Sequence, residues 1–308
     1  MVTASRLHVV YRSTAGDNAK PRPPYYDKAT CLLSFARAAG ECSRLGDVVF
    51  LNVDDAPWPQ ARLDVMARLG RVERIADEGM GASYRRCLQI VSEASWPETD
   101  LVYLAEDDYL LDPSAFSGLL EAADALPDVH YFALYAAVLG EPPNGTDLPS
   151  ELRVPSSLYE SEPRAVSSGT WRRAVSSNLS TGARISALHR DRWMHAAAPR
   201  AGAWFDHFLA LAVQGELPCT ARQLLLPLAE SPHLSRRLRI SAWRALLTAG
   251  ALAHRGRPHR LAAAVPPLAC HLETGYLAAG RDWEQLASQT LAWARAAGLP
   301  VPVESREP

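Results

Sequence analysis

The chain has 308 residues, of which 48% are hydrophobic and 21% charged, and its formal net charge at pH 7 is -2. This length and composition are typical of a globular protein with a large core. A nucleic-acid-binding protein usually carries an excess of basic residues that neutralise phosphates, and this chain has none. A phosphate group bound here must therefore be met by a local arrangement of side chains or by a metal ion.

The five cysteines are dispersed and form no CxxC pair, which argues against a disulfide framework and against a structural zinc site. The N-terminal residues lack the charged and apolar regions of a signal peptide. No uninterrupted apolar stretch reaches the roughly 18 residues that a membrane span requires. We therefore expect a protein of the reducing cytoplasm, and the abundance of alanine and arginine is typical of a GC-rich bacterial genome.

The first third of the chain alternates strand and helix patterns. Apolar and β-branched runs predict strands over residues 7–11, 47–53, 71–75 and 100–105, and helical spacing predicts helices over residues 26–39, 61–69 and 82–94. This alternation predicts an α/β fold with a mostly parallel sheet, joined by right-handed crossovers and covered by helices on both faces.

The remainder of the chain is less regular. Its patterns predict a helix over residues 114–126, strands over 129–136 and 179–189, and helices over 204–214, 234–255 and 282–297. Residues 138–170 are rich in Pro, Gly, Ser and Glu, which favours a long loop that could cover a site.

The predicted helix over residues 234–255 is amphipathic and rich in arginine. Such a helix could contact a membrane surface or an acidic partner. A solvated basic face is the stronger interpretation, because the net charge of the chain is not basic.

Polar clusters follow three of the predicted strands. They are Arg12 with Ser13, Asp54 with Asp55, and the triplet Glu106, Asp107 and Asp108. In open α/β sheets, ligands bind beyond the carboxyl ends of the strands. The three clusters therefore predict a nucleotide site at this edge of the sheet.

The triplet Glu106, Asp107 and Asp108 leaves a buried strand, and adjacent carboxylates repel one another unless a cation lies between them. Mg²⁺ and Mn²⁺ prefer oxygen ligands and commonly bridge one or two carboxylates to substrate phosphates. The alternatives are a solvated acidic turn before Pro113 and a charge cluster at the start of the next helix. We favour a metal site because of the position directly after the strand.

Residues 102–110 resemble the DxD-type metal motif of GT-A glycosyltransferases, especially family 2-like bacterial members. Residues 11–13, the Pro-Tyr-Tyr-x-Lys run at 24–28, and residues 269–273 with 281–283 resemble the same group. The resemblance spans the chain but is patchy over 136–177. It implies a GT-A-like domain over residues 1–230, with a mostly parallel sheet flanked by helices, and a helical C-terminal segment over 231–308 that packs back on the site.

The resemblance implies roles for residues around the nucleotide. Asp54 or Asp55 would hydrogen-bond the nucleobase, or these carboxylates cap the following segment. Arg12 would face the diphosphate, or it ends its strand in solvent. The small-residue turn that would approach the nucleotide's sugar and phosphates, or form a plain turn, contains Gly79, Gly81, Ser83 and Arg86.

The resemblance also implies residues for chemistry. Asp206 matches the carboxylate that deprotonates the acceptor, but Phe205 stands where an acid is usual, so either Asp206 or His207 could be the base. His271 matches a late histidine that joins Asp107 and Asp108 as a metal ligand, with Glu273 orienting it. Structural roles for these residues are the alternative.

Taken together, the resemblance implies a hexosyltransferase-like, metal-dependent glycosyltransferase. It would use Mn²⁺ or Mg²⁺ and a nucleoside-diphosphate sugar, with UDP as the expected nucleotide, and would transfer the sugar to a hydroxyl or amine with inversion. One alternative is a nucleotidyltransferase, which would favour a Gly-rich, basic loop after the first strand, where this chain has Ser-Thr-Ala-Gly-Asp at 13–17. The other is a non-catalytic nucleotide-sugar-binding protein.

Overall fold

The computed structural model describes residues 6–54, 56–135, 162–177, 180–202, 204–225 and 233–301. The strands in these residues are β1 (Leu7–Thr14), β2 (Leu45–Asp54), β3 (Arg71–Ala76), β4 (Leu101–Glu106), β5 (Tyr109–Leu111), β6 (Tyr131–Ala133), β7 (Arg164–Val166), β8 (Gly169–Arg173), β9 (Thr181–Arg184), β10 (Leu261–Val265) and β11 (Ala269–His271). The helices are α1 (Lys28–Gly40), α2 (Gln60–Leu69), α3 (Met80–Glu93), α4 (Ala115–Ala125), α5 (Ile185–Ala197), α6 (Phe205–Val213), α7 (Ala221–Leu225), α8 (Leu234–His254) and α9 (Trp283–Ala296).

Nine strands form the central sheet in the order β3-β2-β1-β4-β9-β6-β10-β8-β7. The neighbours β3, β2, β1 and β4 are parallel, as are β6 and β10. β9 is antiparallel to both β4 and β6, and β8 is antiparallel to β10 and β7. The predicted α/β class is confirmed: a mixed sheet with a parallel half lies between helices.

Helices cover both faces of the sheet. Neighbouring residues of a strand point to opposite faces, and in the central strands both sets of side chains are apolar and buried. In β1, Val9 and Val10 are both fully buried. Val9 packs in the apolar cluster that contains Phe35 of α1 and Phe116 of α4. Val10 packs in a second cluster with Tyr84 of α3. Two apolar layers therefore pack against the sheet, one on each face, and hold the strands whose ends carry the polar clusters.

Two sequence predictions for the middle of the chain need correction. Part of the predicted loop 138–170 lies outside the described residues, but Arg164–Val166 and Gly169–Arg173 form the hairpin β7 and β8. The predicted strand 179–189 is wrong beyond Arg184, because α5 starts at Ile185. The buried side chains from there recur at helical spacing and include Ile185, Leu188, Asp191, Met194 and His195.

The C-terminal segment 231–308 is not only helical. Its strand β10 enters the central sheet between β6 and β8. Its strand β11 pairs with β5 in a small antiparallel sheet, in which His271 lies opposite Tyr109. This pairing returns the distant C-terminal residues to the turn that contains Asp107 and Asp108.

All five cysteines are free and buried. Among the helices in the described part of the chain, none is long and apolar enough to cross a bilayer.

Candidate active site

A cavity of about 710 Å³ opens at the carboxyl ends of β1 and β4. The triplet Glu106, Asp107 and Asp108 lines it, together with Asp206 and His271. These residues come from three distant parts of the sequence. The fold therefore gathers carboxylate and imidazole groups into one space, at the edge of the sheet where ligands bind in α/β folds.

Glu106 ends β4 and forms an ion pair with Arg12, which lies two residues before the end of the neighbouring strand β1. The two residues are partners in the parallel ladder. Arg12 also donates a hydrogen bond to Ser83 Oγ of α3 over 3.0 Å. The register of β1 and β4 thus sets this pair, and Arg12 ties it to the start of α3.

Asp107 is bound to the loop after β1. Its Oδ2 accepts hydrogen bonds from Ser13 Oγ at 2.9 Å and from the Thr14 backbone N at 2.8 Å. The same oxygen lies 3.0 Å from Lys28 Nζ and 3.6 Å from the Arg62 guanidinium. Both basic side chains are nearly buried, so this carboxylate anchors the loop in a largely desolvated ion-pair network.

Asp108 faces the C-terminal segment. Its Oδ2 lies 3.1 Å from Arg22 Nη2 and 3.0 Å from His271 Nε2. Burial alone would raise the pKa of Asp108, but His271 and Arg22 outweigh it and hold the pKa well below its usual range. The His271 ring stacks on Tyr109, with centroids 4.9 Å apart. Both partners therefore favour the ionised form of Asp108.

The balance of charge in the site differs from the expectation of carboxylates that repel one another until a cation binds. Each carboxylate of the triplet has its own cationic partner. The four basic side chains in these pairs are Arg12, Arg22, Lys28 and Arg62. The basic side chains of the chain itself thus neutralise the triplet. The carboxylates do not by themselves require a bound cation.

The donor set at Asp108 and His271 fits a hard divalent cation. A carboxylate oxygen and an imidazole nitrogen lie 3.0 Å apart on the cavity wall, and Glu273 Oε2 lies 3.8 Å from the same nitrogen. The carboxylate only accepts, so His271 Nε2 donates this hydrogen bond. His271 Nδ1 has no hydrogen-bond partner among the described residues, so the ring proton can move to it and free Nε2 for a cation. Mg²⁺ and Mn²⁺ commonly take one or two protein carboxylates and complete their shell with phosphates and water. Asp107 also lines the cavity, its Oδ2 accepts hydrogen bonds from Ser13 and Thr14, and its role as a third ligand stays a prediction.

Asp191, His254 and His259 are the group of three side chains whose potential ligand atoms lie within 4.8 Å of one another in the described part of the chain. This group lies outside the cavity lining. Arg190 Nη1 lies 3.0 Å from His259 Nε2, and arginine can only donate. His259 Nδ1 therefore carries the proton that is donated to Asp191 Oδ2 over 2.6 Å. Because a metal ligand must be unprotonated, the group forms a hydrogen-bond network.

Asp206 and His207 begin α6 on another wall of the cavity. Asp206 is half-buried, and its Oδ2 lies 3.4 Å from Ser176 Oγ. His207 is buried. The preceding Trp204 has a φ of 63°, which is uncommon for a bulky residue, and it also lines the cavity. Such backbone conformations cluster at functional sites.

Asp54, one of the predicted nucleotide-binding residues, does not line the cavity. Asp54 is paired with Arg74 at 2.8 Å and accepts a hydrogen bond from Trp58 Nε1, and its neighbour Val53 lines the cavity in its place. The contact of Asp54 with a nucleobase stays a prediction. Asp55 lies outside the described residues.

Arg86 is likewise turned away from the cavity. Its guanidinium lies 2.9 Å from both Glu73 and Glu93, so two nearby carboxylates compete for the charge that the sequence assigned to a phosphate. Gly79 precedes α3 with a φ of +83°, and Gly81 lies in its first turn. The residue between them, Met80, lines the cavity. The start of α3 is therefore near the site although Arg86 is not.

Sequence reasoning did not assign roles to Lys28 and Arg62. Each lies in the first turn of its helix, α1 or α2. A basic side chain is unfavourable at this end of a helix because the exposed N–H groups carry positive charge. A basic residue predicted in the first turn of a helix therefore indicates a nearby carboxylate, and here Asp107 forms ion pairs with both residues.

Comparisons with known proteins find likeness in structure only. No family model matches the chain, and no curated protein is significantly similar to it. S. aureus TarS (residues 1–349) is 13% identical over 82% of this chain and 74% of that chain, with a TM-score of 0.41. A 4-diphosphocytidyl-2C-methyl-D-erythritol synthase is 13% identical over 78% of this chain and 98% of that chain, with a TM-score of 0.40.

A third similar structure is the Mycobacterium tuberculosis glucosyl-3-phosphoglycerate synthase in complex with Mn²⁺, UDP and glucosyl-3-phosphoglycerate. It is 13% identical over 42% of this chain and 43% of that chain, with a TM-score of 0.31. The match thus spans less than half the length of that protein. At these identities the likeness concerns the fold.

The network at Asp107 leads to a prediction for stability. Lys28→Met should lower the free energy of unfolding by about 1–3 kcal/mol, less than the usual cost of breaking a buried ion pair because Arg62 remains near Asp107. In a double-mutant cycle with Asp107→Asn, measured by urea denaturation, the coupling energy should be about 0.5–3 kcal/mol.

The matched control is Lys20→Met, because Lys20 pairs with Glu273 while 45% of its side chain is exposed. Such a surface pair should contribute less than about 1 kcal/mol. A coupling energy between Lys28 and Asp107 that is indistinguishable from zero would contradict the network.

Proposed function

We propose that this chain is a metal-dependent glycosyltransferase, which moves a sugar from a nucleoside-diphosphate sugar, with UDP as the expected nucleotide, to an acceptor hydroxyl or amine with inversion. The observation that carries the proposal is the meeting of three kinds of group in one cavity. They are the pair of Asp108 and His271, basic side chains beside it, and a further carboxylate, Asp206, on another wall.

The basic side chains would bind the donor's diphosphate. Arg12, Lys20, Lys28 and Arg236 all line the cavity. Charge-assisted hydrogen bonds from such groups to phosphate oxygens are stronger than neutral ones, and more so where water is excluded. The N-terminus of α3, with Gly79 before it, offers backbone N–H groups nearby for the same anion.

Asp108 and His271 would hold a Mn²⁺ or Mg²⁺ ion. When bound, such an ion neutralises the charge that builds on the departing diphosphate. Asp108 suits this role because its lowered pKa keeps it anionic. In this proposal Asp107, the predicted third ligand, also fixes the loop of Ser13 and Thr14 against the site and so positions the donor.

Asp206 would remove the proton from the acceptor nucleophile. It is less buried than His207, and it lines the cavity in the first turn of α6, where the helix N-terminus stabilises a negative charge. A base on the wall that receives the acceptor favours attack on the face of the sugar opposite the leaving diphosphate, which inverts the anomeric centre.

Nucleotide binding tests the metal role. Calorimetry should show that UDP binds more tightly with Mn²⁺ than with EDTA, and that Asp108→Asn weakens binding in Mn²⁺ by about 10- to 100-fold. Asp64→Asn, which removes an exposed carboxylate on α2, is the matched control and should bind like the wild type. Equal affinity for UDP in EDTA and in Mn²⁺ would exclude the metal role.

A second experiment separates binding from chemistry. Asp206→Asn should leave the affinity for UDP close to that of the wild type, while the rate of sugar transfer falls by on the order of 10²-fold or more. Activity that survives this change but is lost in His207→Ala would move the role to His207. Release of pyrophosphate from a nucleoside triphosphate in the presence of a sugar phosphate, with no transfer from the nucleoside-diphosphate sugar, would instead identify a nucleotidyltransferase.

A further inference from the structure

The outward face of α8 is apolar. The side chains that pack against the protein include Arg244, Leu247, Gly250 and Ala251. The exposed residues on the opposite side recur four, seven, four and three residues apart, which places them on one stripe. This stripe consists of Leu234, Leu238, Ala245, Ala249 and Leu252. Its leucines are 63%, 54% and 49% exposed.

This arrangement reverses the usual pattern, in which a surface helix turns charged side chains to solvent. The charges of α8 have a single sign, and apart from the buried Arg244 they belong to arginines that flank the stripe or lie off it. Residues 234–260 contain seven arginines and neither aspartate nor glutamate, although the whole chain has a net charge of -2. The surface is therefore a narrow apolar band bordered by positive charge.

The first turn of α8 reaches the cavity through Arg236, which lies on the other side of the helix from the stripe. Trp204 and Met80, which are 39% and 51% exposed, also line the cavity. Leu225, at the end of α7, is 62% exposed. The end of α7 is tied to α8, because Arg244 Nη1 donates a hydrogen bond to the Gln223 carbonyl over 2.7 Å. Met80 and Trp204 thus expose apolar surface at the cavity, and Leu225 exposes apolar surface beside α8.

We propose that the outward face of α8 binds the surface of a membrane that contains anionic lipids. Leucine side chains would enter the boundary between headgroups and acyl chains, while the arginines would pair with anionic headgroups. A second copy of the chain is a poorer occupant, because an isologous contact would bring two surfaces that carry only positive charge together.

Co-sedimentation with vesicles tests this proposal. The protein should bind vesicles of mixed phosphatidylcholine and phosphatidylglycerol, bind pure phosphatidylcholine far less, and lose binding as salt is raised. Leu238→Glu with Leu252→Glu, and separately Arg239→Gln with Arg255→Gln, should each lower binding to the mixed vesicles by about tenfold or more.

The matched control changes α9, which packs on the other face of the sheet, by Ala292→Glu with Arg295→Gln, and it should bind vesicles like the wild type. Thermal melts followed by circular dichroism establish that each variant is folded. No binding of the wild-type protein to the mixed vesicles would overturn the proposal. So would equal binding by all variants, or a dimer in analytical ultracentrifugation that Leu238→Glu dissociates in the absence of vesicle binding.

Discussion

The site depends on one constraint: three carboxylates must lie side by side where β4 leaves the sheet. Removing one partner from a buried ion pair typically costs about 3–5 kcal/mol, so such a triplet is tolerable only if each charge is met. In the structure, Arg12 of the neighbouring strand β1 forms an ion pair with Glu106. Asp107 forms ion pairs with Lys28 and Arg62, which lie in the first turns of α1 and α2. The positions of these elements and the charges of the site therefore stabilise one another.

Asp108 contacts a residue that is distant in sequence, His271, and the small second sheet brings the two together. The pairing of β5 with β11 is the contact that places His271 next to the turn after β4. Without it, the two residues, 163 positions apart in sequence, would have no reason to meet. The central sheet supplies the carboxylates and the C-terminal segment supplies the imidazole, so the candidate metal site forms only when the whole chain has folded.

The predictable part of the molecule was the part governed by local pattern. Strands and helices of the first third follow from apolar periodicity, and the carboxyl ends of parallel strands meet whatever the side chains are. The position of Arg86 could not be predicted, because the sequence does not show that its guanidinium forms ion pairs with Glu73 and Glu93. Lys28 was missed for the converse reason: its partner, Asp107, is distant in sequence. Short strands such as β10 depend on non-local pairing and carry little local signal.

The most direct test of the account is a crystal structure with UDP and Mn²⁺, in which anomalous scattering locates the metal. We predict one manganese peak between Asp108 and His271, with the UDP diphosphate in the same cavity beside Lys28. A peak at Asp191, His254 and His259 instead, or UDP bound in the cavity with no manganese beside Asp108, would contradict it.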